Sequence, residues 1–470
     1  MSNDKAVRGT KRDNDWGDAF PLLRQRFGDA FETSPGICRQ HANTLTSIAP
    51  EPPEAVLFAA STEDVVDLVG VASRFRVPIV PFGAGTSLEG HVNAPRGGIS
   101  LDLSRMDQVL RVSPEDMDCR VEAGVTRGRL NSDLRDTGLF FTVDPGTEEA
   151  TLGGMAATRA SGTTAVRYGT MRENVLGVKA VLADGNVIET ASRARKSAAG
   201  YDLTHLLVGS EGTLGIITEL TLRLHGVPEQ VIAAVAGFES LESACNTTMM
   251  AIAMGLGLAR IELLDRHVIA AVNHHAGLSL KSVPTLFLEF HGTAAAVREQ
   301  AEIFEDIAKT EGALSFTSAA DESERRKLWK ARHESLWAVR EAWPGRDTLV
   351  TDVCVPVSRL AECILETEKD IAASGLDAPI VGHVGDGNFH ALVMYDRNDD
   401  AQQTKIKAFA GRLAERAIAM EGTCTGEHGI GQGKRSYLRL ERAAAVDTMA
   451  SLKTALDPMG ILNPGKIFAT

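Results

Sequence analysis

Two histidines and an acidic–histidine pair hold the densest chemical information in this 470-residue chain. His383 and His390 flank Asp386-Gly387 in the string Val381-Gly-His-Val-Gly-Asp-Gly-Asn-Phe-His390. Asp-Gly is a favoured two-residue hairpin turn. Such a turn makes 385/388, 384/389 and 383/390 the facing pairs, with Cβ atoms of the two histidines roughly 4.5–5.5 Å apart. Two imidazoles so placed can converge on one cation. Glu427, in Gly426-Glu-His-Gly-Ile-Gly431, offers the carboxylate that completes a two-histidine, one-carboxylate set with open positions. A metal is therefore expected on His383, His390 and Glu427. Such N/O ligation suits Zn²⁺, Mn²⁺ or Fe²⁺, and the spacing does not choose among them. Arg332, in Leu328-Trp-Lys-Ala-Arg-His333, is a candidate for a substrate carboxylate because a guanidinium makes bidentate, permanently charged contacts. The competing readings are a Gly-flanked polar loop for 426–431 and a surface arginine on a charged helix for Arg332.

A second group of residues suits an extended anionic ligand. Pro81-Phe-Gly-Ala-Gly-Thr-Ser-Leu88 ends a strand, where backbone N–H groups can cradle phosphate and Thr86 and Ser87 add hydroxyl donors. The dinucleotide fingerprint GxGxxG fails here, because Leu88 stands where its last glycine would. Between 144 and 217 the chain is again rich in permissive backbone and small donors. The segments are Asp144-Pro-Gly-Thr147, Thr151-Leu-Gly-Gly154, Ser161-Gly162, Arg167-Tyr-Gly169 and Glu211-Gly-Thr-Leu-Gly-Ile-Ile217. So many positions suit a ligand lying along the chain and held by main-chain hydrogen bonds, such as FAD. The cofactor candidates in the first loop are Pro81, Gly83, Ala84, Gly85, Thr86, Ser87 and Leu88. In the second stretch they are Pro145, Gly146, Thr147, Thr151, Gly153, Gly154, Ser161, Gly162, Tyr168, Gly169, Glu211, Gly212, Gly215, Ile216 and Ile217. Plain loops between short strands are the alternative.

The elements that must position these residues divide the chain. Residues 1–50 read as a polar N-terminal extension with one helical patch, Phe20–Phe27. Residues 51–228 alternate short strands and helices, with a capping-box-like start at Ser61-Thr-Glu-Asp64 and a hairpin at Val175–Thr190. His225-Gly-Val-Pro228 breaks the pattern. Residues 229–455 then alternate strands (near 231–238, 260–264, 285–291 and 348–355) with long helices near 239–254, 294–310, 321–342 and 358–373. The tail, 456–470, is rich in turn formers. The fold class is α+β.

Composition narrows the function. The net charge is −13 and no run of Lys or Arg forms a basic arm, so nucleic-acid binding and docking on anionic membranes are disfavoured. No apolar stretch approaches the ~20 residues of a membrane span. Six cysteines are scattered without a CxxC, which points to a reducing compartment rather than a disulfide framework. The polar start shows no secretory signal, so a cytoplasmic chain, peripheral to the inner membrane at most, is expected.

The 81–88 loop, Asp144–Gly154, Glu211–Ile217 and the tail Asn463-Pro-Gly-Lys466 resemble the FAD-linked oxidases of the vanillyl-alcohol-oxidase/cresol-methylhydroxylase (PCMH) fold. The resemblance covers residues about 51–470. It is strongest to the branch with cytochrome-type D-lactate dehydrogenase, D-2-hydroxyglutarate dehydrogenase and the glycolate oxidase flavin subunit. It implies a two-subdomain FAD-binding domain of the PCMH type, with a cap domain built on an antiparallel sheet flanked by helices, and it adds Asn463 to the cofactor residues. No histidine lies within 81–88, so the implied FAD is non-covalent, and His91 reads as structural. By resemblance His383, His390 and Glu427 ligate a divalent metal, Zn²⁺ or Mn²⁺, His428 is the catalytic base and Arg332 grips the substrate carboxylate. The implied reaction is oxidation of a 2-hydroxy acid, with hydride passing to FAD and electrons to a cytochrome, quinone or electron-transfer flavoprotein; a homodimer is left open. The dicarboxylate branch places polar residues where this chain has Val350, Leu336 and Leu392. A second carboxylate would be unpaired there, which favours D-lactate or a similar monocarboxylate over D-2-hydroxyglutarate. Trp337 and Trp343 read as core packing. A flavin-free metal hydrolase, or a flavin subunit without substrate chemistry, would leave one of the two residue sets unused.

Overall fold

The computed structural model of the chain describes residues 16–42, 46–319 and 321–468. The all-apolar run Ala55–Phe58 forms a strand buried on both faces, as parallel strands require. It pairs in parallel with Ile99–Asp102, which pairs in parallel with Ile79–Phe82. Phe31–Glu32 adds an antiparallel edge. The crossover is the helix Thr62–Phe75, where Ser61 accepts the N–H of Asp64, and Val65, Leu68, Val69 and Ala72 are buried at helical spacing. Ile79–Phe82 delivers the chain into the 81–88 loop. Its outer side is closed by the tail: the N–H of Ile79 bonds the carbonyl of Ile461, and the N–H of Asn463 bonds the carbonyl of Ile79, both at 2.8 Å. A second, fully antiparallel sheet follows, in the order Val109–Ser113, Asp118–Glu122, Ile216–Arg223, Val175–Val181, Val187–Glu189. The last two strands are the expected hairpin.

Beyond residue 229 lies an antiparallel sheet of eight strands. Its path runs Ala313–Ser318, Gln230–Phe238, Thr285–Gly292, Leu258–Leu264, Ile380–Gly382, Asn388–Tyr395, Asp347–Val350, and Val353–Cys354 also pairs with Asn388–Tyr395. One face packs on the helices Leu241–Ala253, Ala294–Thr310, Leu360–Ser374 and Asp400–Ala419, and the other on Arg266–Ala276, Glu322–His333 and Ser335–Ala342. Strand alternation sorts the residues: Ile261 and Leu263 join the first core and Leu264 the second, with Glu262 on the same side as Leu264. The chain is therefore α+β, with an antiparallel sheet flanked by helices.

Three details depart from the sequence reading. The helix expected over 321–342 is two helices joined at Glu334. The strand expected over 348–355 is interrupted at Thr351-Asp352, both buried. Helices that were not expected include Asp400–Ala419 and Arg266–Ala276, the latter started by Asp265, whose carboxylate accepts the N–H groups of His267 and Val268. Trp343 packs on the second core as expected, whereas Trp337 is 50% exposed and carries the Arg340 guanidinium over its ring. The six cysteines are all unpaired.

Candidate active site

His383, His390 and Glu427 converge, though not through the turn expected of Asp386-Gly387. Val381, not His383, faces His390 in the ladder. The strand ends at Gly382, and Val384–Asp386 forms a 3₁₀ turn closed by N–H bonds from Asp386 and Asn388 to the carbonyl of His383. Gly387 is left-handed (φ 78°), and a Cβ there would overlap the carbonyl of Val355. The longer connection swings the His383 ring across to His390, with ring centroids 5.5 Å apart. Glu427 Oε1 lies 3.2 Å from His383 Nε2 and 3.3 Å from His390 Nε2. Those separations match the edge of a tetrahedron with 2.0–2.1 Å bonds, about 3.3 Å.

The other ring nitrogens are occupied, which fixes both Nε2 atoms toward the shared point. His383 Nδ1 bonds Glu262 Oε1 at 2.8 Å and His390 Nδ1 bonds the Thr351 carbonyl at 2.8 Å. Burial disfavours a charge on His383, but Glu262 and Glu427 on either side outweigh it and raise its pKa well above the usual value. Burial likewise opposes the Glu427 carboxylate, yet His383 and His390 hold its pKa far below the usual carboxylate range. The donor set fits a divalent cation.

Asp352 was not expected at the site, and it organises the loop that carries Glu427 and His428. Its Oδ2 accepts from Thr425 Oγ1 (2.7 Å) and from the backbone N–H groups of Glu427 (3.1 Å) and His428 (3.0 Å), while Oδ1 accepts from Asn388 Nδ2 (2.8 Å). Lys434 Nζ stands 3.4 Å from Oδ2. Burial would raise the Asp352 pKa, but Lys434, His428 and His390 pull it well below the usual value. The His428 ring stacks on His390 at 5.1 Å, and burial pushes its pKa down to about 4. Its Nδ1 has no hydrogen-bond partner and stands 4.0 Å from Glu89.

Arg332 is buried, not a surface residue. One guanidinium nitrogen bonds Glu262 and another bonds Ser335 Oγ at 3.3 Å, while Nε has no partner. Glu262 thus links Arg332 to His383. Neither Glu262 nor Asp352 was singled out in the sequence; the available signal was an acidic residue beside apolar neighbours, in Ile261-Glu-Leu263 and before Val353.

Glu427 and His428 reach a neighbouring cleft of about 210 Å³. Pro81, Gly83, Ala84, Gly85, Thr86, Ser87 and Leu88 line one side of it. Pro145, Thr147, Thr151, Gly154, Ser161, Glu211, Gly212 and Asn463 also line it. Gly153, Gly215, Ile216 and Ile217 line a smaller cavity that shares Pro81, Gly83, Thr151, Gly154 and Gly212 with it. The cleft suits a flavin dinucleotide: Ser87 Oγ is buried there without a partner, and Gly83 has no room for a Cβ because it would overlap Thr151 Oγ1. Glu211 lines the cleft but spends its carboxylate on the backbone N–H groups of Ile430 (2.6 Å) and Gly431 (2.8 Å). His91, read as structural, also lines the cleft and stands 3.3 Å from Glu211.

Four expected cofactor residues lie elsewhere. Gly162 (φ +125°) lets the chain pass the Asp144 carbonyl, where a Cβ would overlap. Tyr168 turns away and bonds His291 Nδ1 at 2.7 Å, which in turn bonds Glu289. Gly169 ends the short helix Ala165–Tyr168. Gly146 lines a separate cavity on the other side of the 144–147 turn.

Residues 227–467 match the family described as FAD linked oxidases, C-terminal domain, and residues 53–191 match the FAD binding domain. A zebrafish protein named probable D-lactate dehydrogenase, mitochondrial, is 51% identical over 435 residues, covering 92% of this chain and 87% of that protein. An Arabidopsis thaliana protein named D-lactate dehydrogenase [cytochrome], mitochondrial, is 46% identical, covering 88% of this chain and 73% of its own. The crystal structure of p-cresol methylhydroxylase with substrate bound superposes with a TM-score of 0.83 at 17% identity, covering 97% of each chain, a likeness of fold. No described helix is long and apolar enough to cross a membrane.

Proposed function

The chain belongs to the FAD-linked oxidases, and on that premise we propose that it oxidises D-lactate, or a similar D-2-hydroxy monocarboxylate, to the 2-oxo acid. Electrons then leave to a cytochrome, quinone or flavoprotein acceptor. The observation that carries the reading is the meeting of His383, His390 and Glu427 at the edge of the cleft that His428 also lines. The names of the zebrafish and Arabidopsis relatives support the choice of substrate.

Bound FAD supplies a two-electron acceptor, and a bound divalent cation supplies Lewis acidity that eases loss of the substrate hydroxyl proton. Non-covalent FAD would lie against the 81–88 loop, the 145–154 segment and Asn463. His383, His390 and Glu427 would hold the cation, either Zn²⁺ or Mn²⁺. His428, kept neutral by burial and fixed by its stack on His390, takes the hydroxyl proton. Arg332 keeps an unpartnered Nε for the substrate carboxylate while Glu262 fixes the rest of its fork. Val350 and Leu392 are cross-strand partners beside Leu336, an apolar wall that leaves a second carboxylate without a partner. In this reading residues 51–228 bind the flavin, 229–455 form the cap, and 456–470 return to the flavin side.

The test is a panel of 2-hydroxy acids, both enantiomers, assayed on the flavin-loaded protein with an artificial dye acceptor. D-lactate should be turned over faster than L-lactate and faster than D-2-hydroxyglutarate, and His428→Ala should lower kcat by about 10²–10⁴. Preference for D-2-hydroxyglutarate would defeat the assignment of substrate, and undiminished turnover in His428→Ala would defeat the assignment of base.

A further inference from the structure

Asp144 is buried next to the flavin cleft, and the function above gives its carboxylate no role. Pro145 and Thr147, which follow it in the turn, line the cleft. On the near side Asp144 shapes that turn. Its Oδ1 accepts the N–H of Gly146 at 3.3 Å and stands 3.3 Å from Arg127, which also donates to the Thr147 carbonyl at 3.3 Å. Its Oδ2 accepts from Thr163 Oγ1 at 3.3 Å. The same oxygen reaches across to the proposed cap, where it accepts from Arg260 at 3.1 Å and from His333 Nε2 at 3.2 Å. Burial alone would raise the Asp144 pKa, but the His333 bond and the Arg127 and Arg260 charges hold it far below the usual carboxylate range.

Both cap partners stand beside the proposed substrate machinery. Arg260 lies two residues before Glu262 on the strand Leu258–Leu264, so their side chains leave the same face. His333 follows Arg332 at the end of the helix Glu322–His333. Strand and helix are thus pinned twice at one corner. Glu262 bonds Arg332 from within the cap, and Asp144 holds Arg260 and His333 from the flavin side. Arg260 is braced further, with its guanidinium 4.6 Å over the ring of Trp329, on the same helix, and 3.9 Å from Glu289. Glu289 bonds His291, which bonds Tyr168, so a second line of contacts returns to the flavin side.

A joint made of polar contacts to one buried carboxylate is directional, and it fixes a single register between the parts it joins. Register matters here because a misplacement of about 1 Å at a substrate-holding group can cost about 10²-fold in rate. We propose that Asp144 is a positioning residue, which sets Arg332 against the flavin cleft by holding Arg260 and His333 from the turn whose next residues line that cleft. The inference rests on the reading of Arg332 as the grip on the substrate carboxylate.

The test is a double-substitution cycle on the flavin-loaded protein, assayed with D-lactate and a dye acceptor. Asp144→Asn keeps the shape and removes the charge, and Arg332→Lys keeps the charge and removes the planar fork. Asp144→Asn alone should lower kcat/KM by about tenfold to about 10²-fold. In the Arg332→Lys background the same change should cost about twofold or less, because its effect travels through the arginine. His333→Phe keeps a ring beside Trp329 and loses the bond to Asp144, so it should lower kcat/KM in the same direction and likewise lose its effect beside Arg332→Lys. Flavin content reports that each variant is folded; if Asp144→Asn sheds its flavin, the His333→Phe cycle decides with the same outcomes. Unchanged kcat/KM in Arg332→Lys alone would remove the reading of Arg332 and this inference with it. A loss in Arg332→Lys, joined by an equal cost of Asp144→Asn in both backgrounds or by no cost in either, overturns the inference alone.

Discussion

Asp352→Asn tests whether one buried carboxylate sets the position of Glu427 and His428. The change preserves shape and removes charge. The new amide must turn its NH₂ either toward the four donors now on Oδ2, those of Thr425, Glu427, His428 and Lys434, or toward the Asn388 amide on Oδ1. The second choice is the milder, and it keeps an oxygen on the loop. Charge-assisted bonds to Thr425, Glu427 and His428 then become neutral ones, a loss of about 1 kcal/mol each, and the clash with Asn388 adds about 1 more. The total of about 4 kcal/mol falls within the ~3–5 typical of breaking a buried ion pair, here that with Lys434. At about 2 °C per kcal/mol for a unit of this size, the thermal midpoint should drop by roughly 8 °C. Thermal unfolding followed by circular dichroism measures the drop, and dye-linked turnover reports whether the loop has moved. A shift below about 2 °C with undiminished turnover would refute the reasoning, because the loop would then hold its place without the charge.

Other substitutions probe the surrounding residues. Glu262→Gln weakens the support of His383 and should lower metal retention about 10–100-fold, read by elemental analysis after dialysis against a weak chelator; unchanged content contradicts that role. Val350→Lys combined with Leu392→Asn should raise the kcat/KM ratio for D-2-hydroxyglutarate over D-lactate by about tenfold or more, since the second carboxylate gains partners; an unchanged ratio means the apolar wall does not set specificity. Burial pushes the Glu89 carboxyl up to about 7, against Lys434 and His91, which lower it, and with Asp352, which raises it. The folded chain therefore keeps this proton from about pH 4.5 to about 7 while the unfolded chain has released it, so stability falls by about 3 kcal/mol as pH rises through that window. Glu89→Gln lacks the loss, so denaturant unfolding of the two proteins at about pH 5 and about pH 8 should show a widening gap in favour of the variant, and a constant gap would refute it.

The meeting of His383, His390 and Glu427 was legible because two histidines flank a turn and Glu427 is flanked by glycine in a loop. The route was misread: Asp386-Gly387 favours a tight hairpin locally, but contact with the Val355 carbonyl selects a 3₁₀ turn, a tertiary choice that two residues cannot announce. The 81–88 loop was legible for the same reason that its glycines are needed, close backbone approach. Gly162 has the same composition but serves another approach, to Asp144, and Tyr168 looks like a donor yet is taken by His291. Glu262 and Asp352 were hidden because their importance comes from partners far along the chain, Arg332 and Lys434 among them.

The clasp of residues 461–463 on Ile79 also has a consequence for biosynthesis. A ribosome adding roughly 5–20 residues per second makes the 81–88 loop tens of seconds before the segment that seals its strand. Until that segment emerges, the strand edge is unpaired and open to non-native pairing. Over this interval the strand Ile79–Phe82 lacks the backbone partners that residues 461–463 later give it.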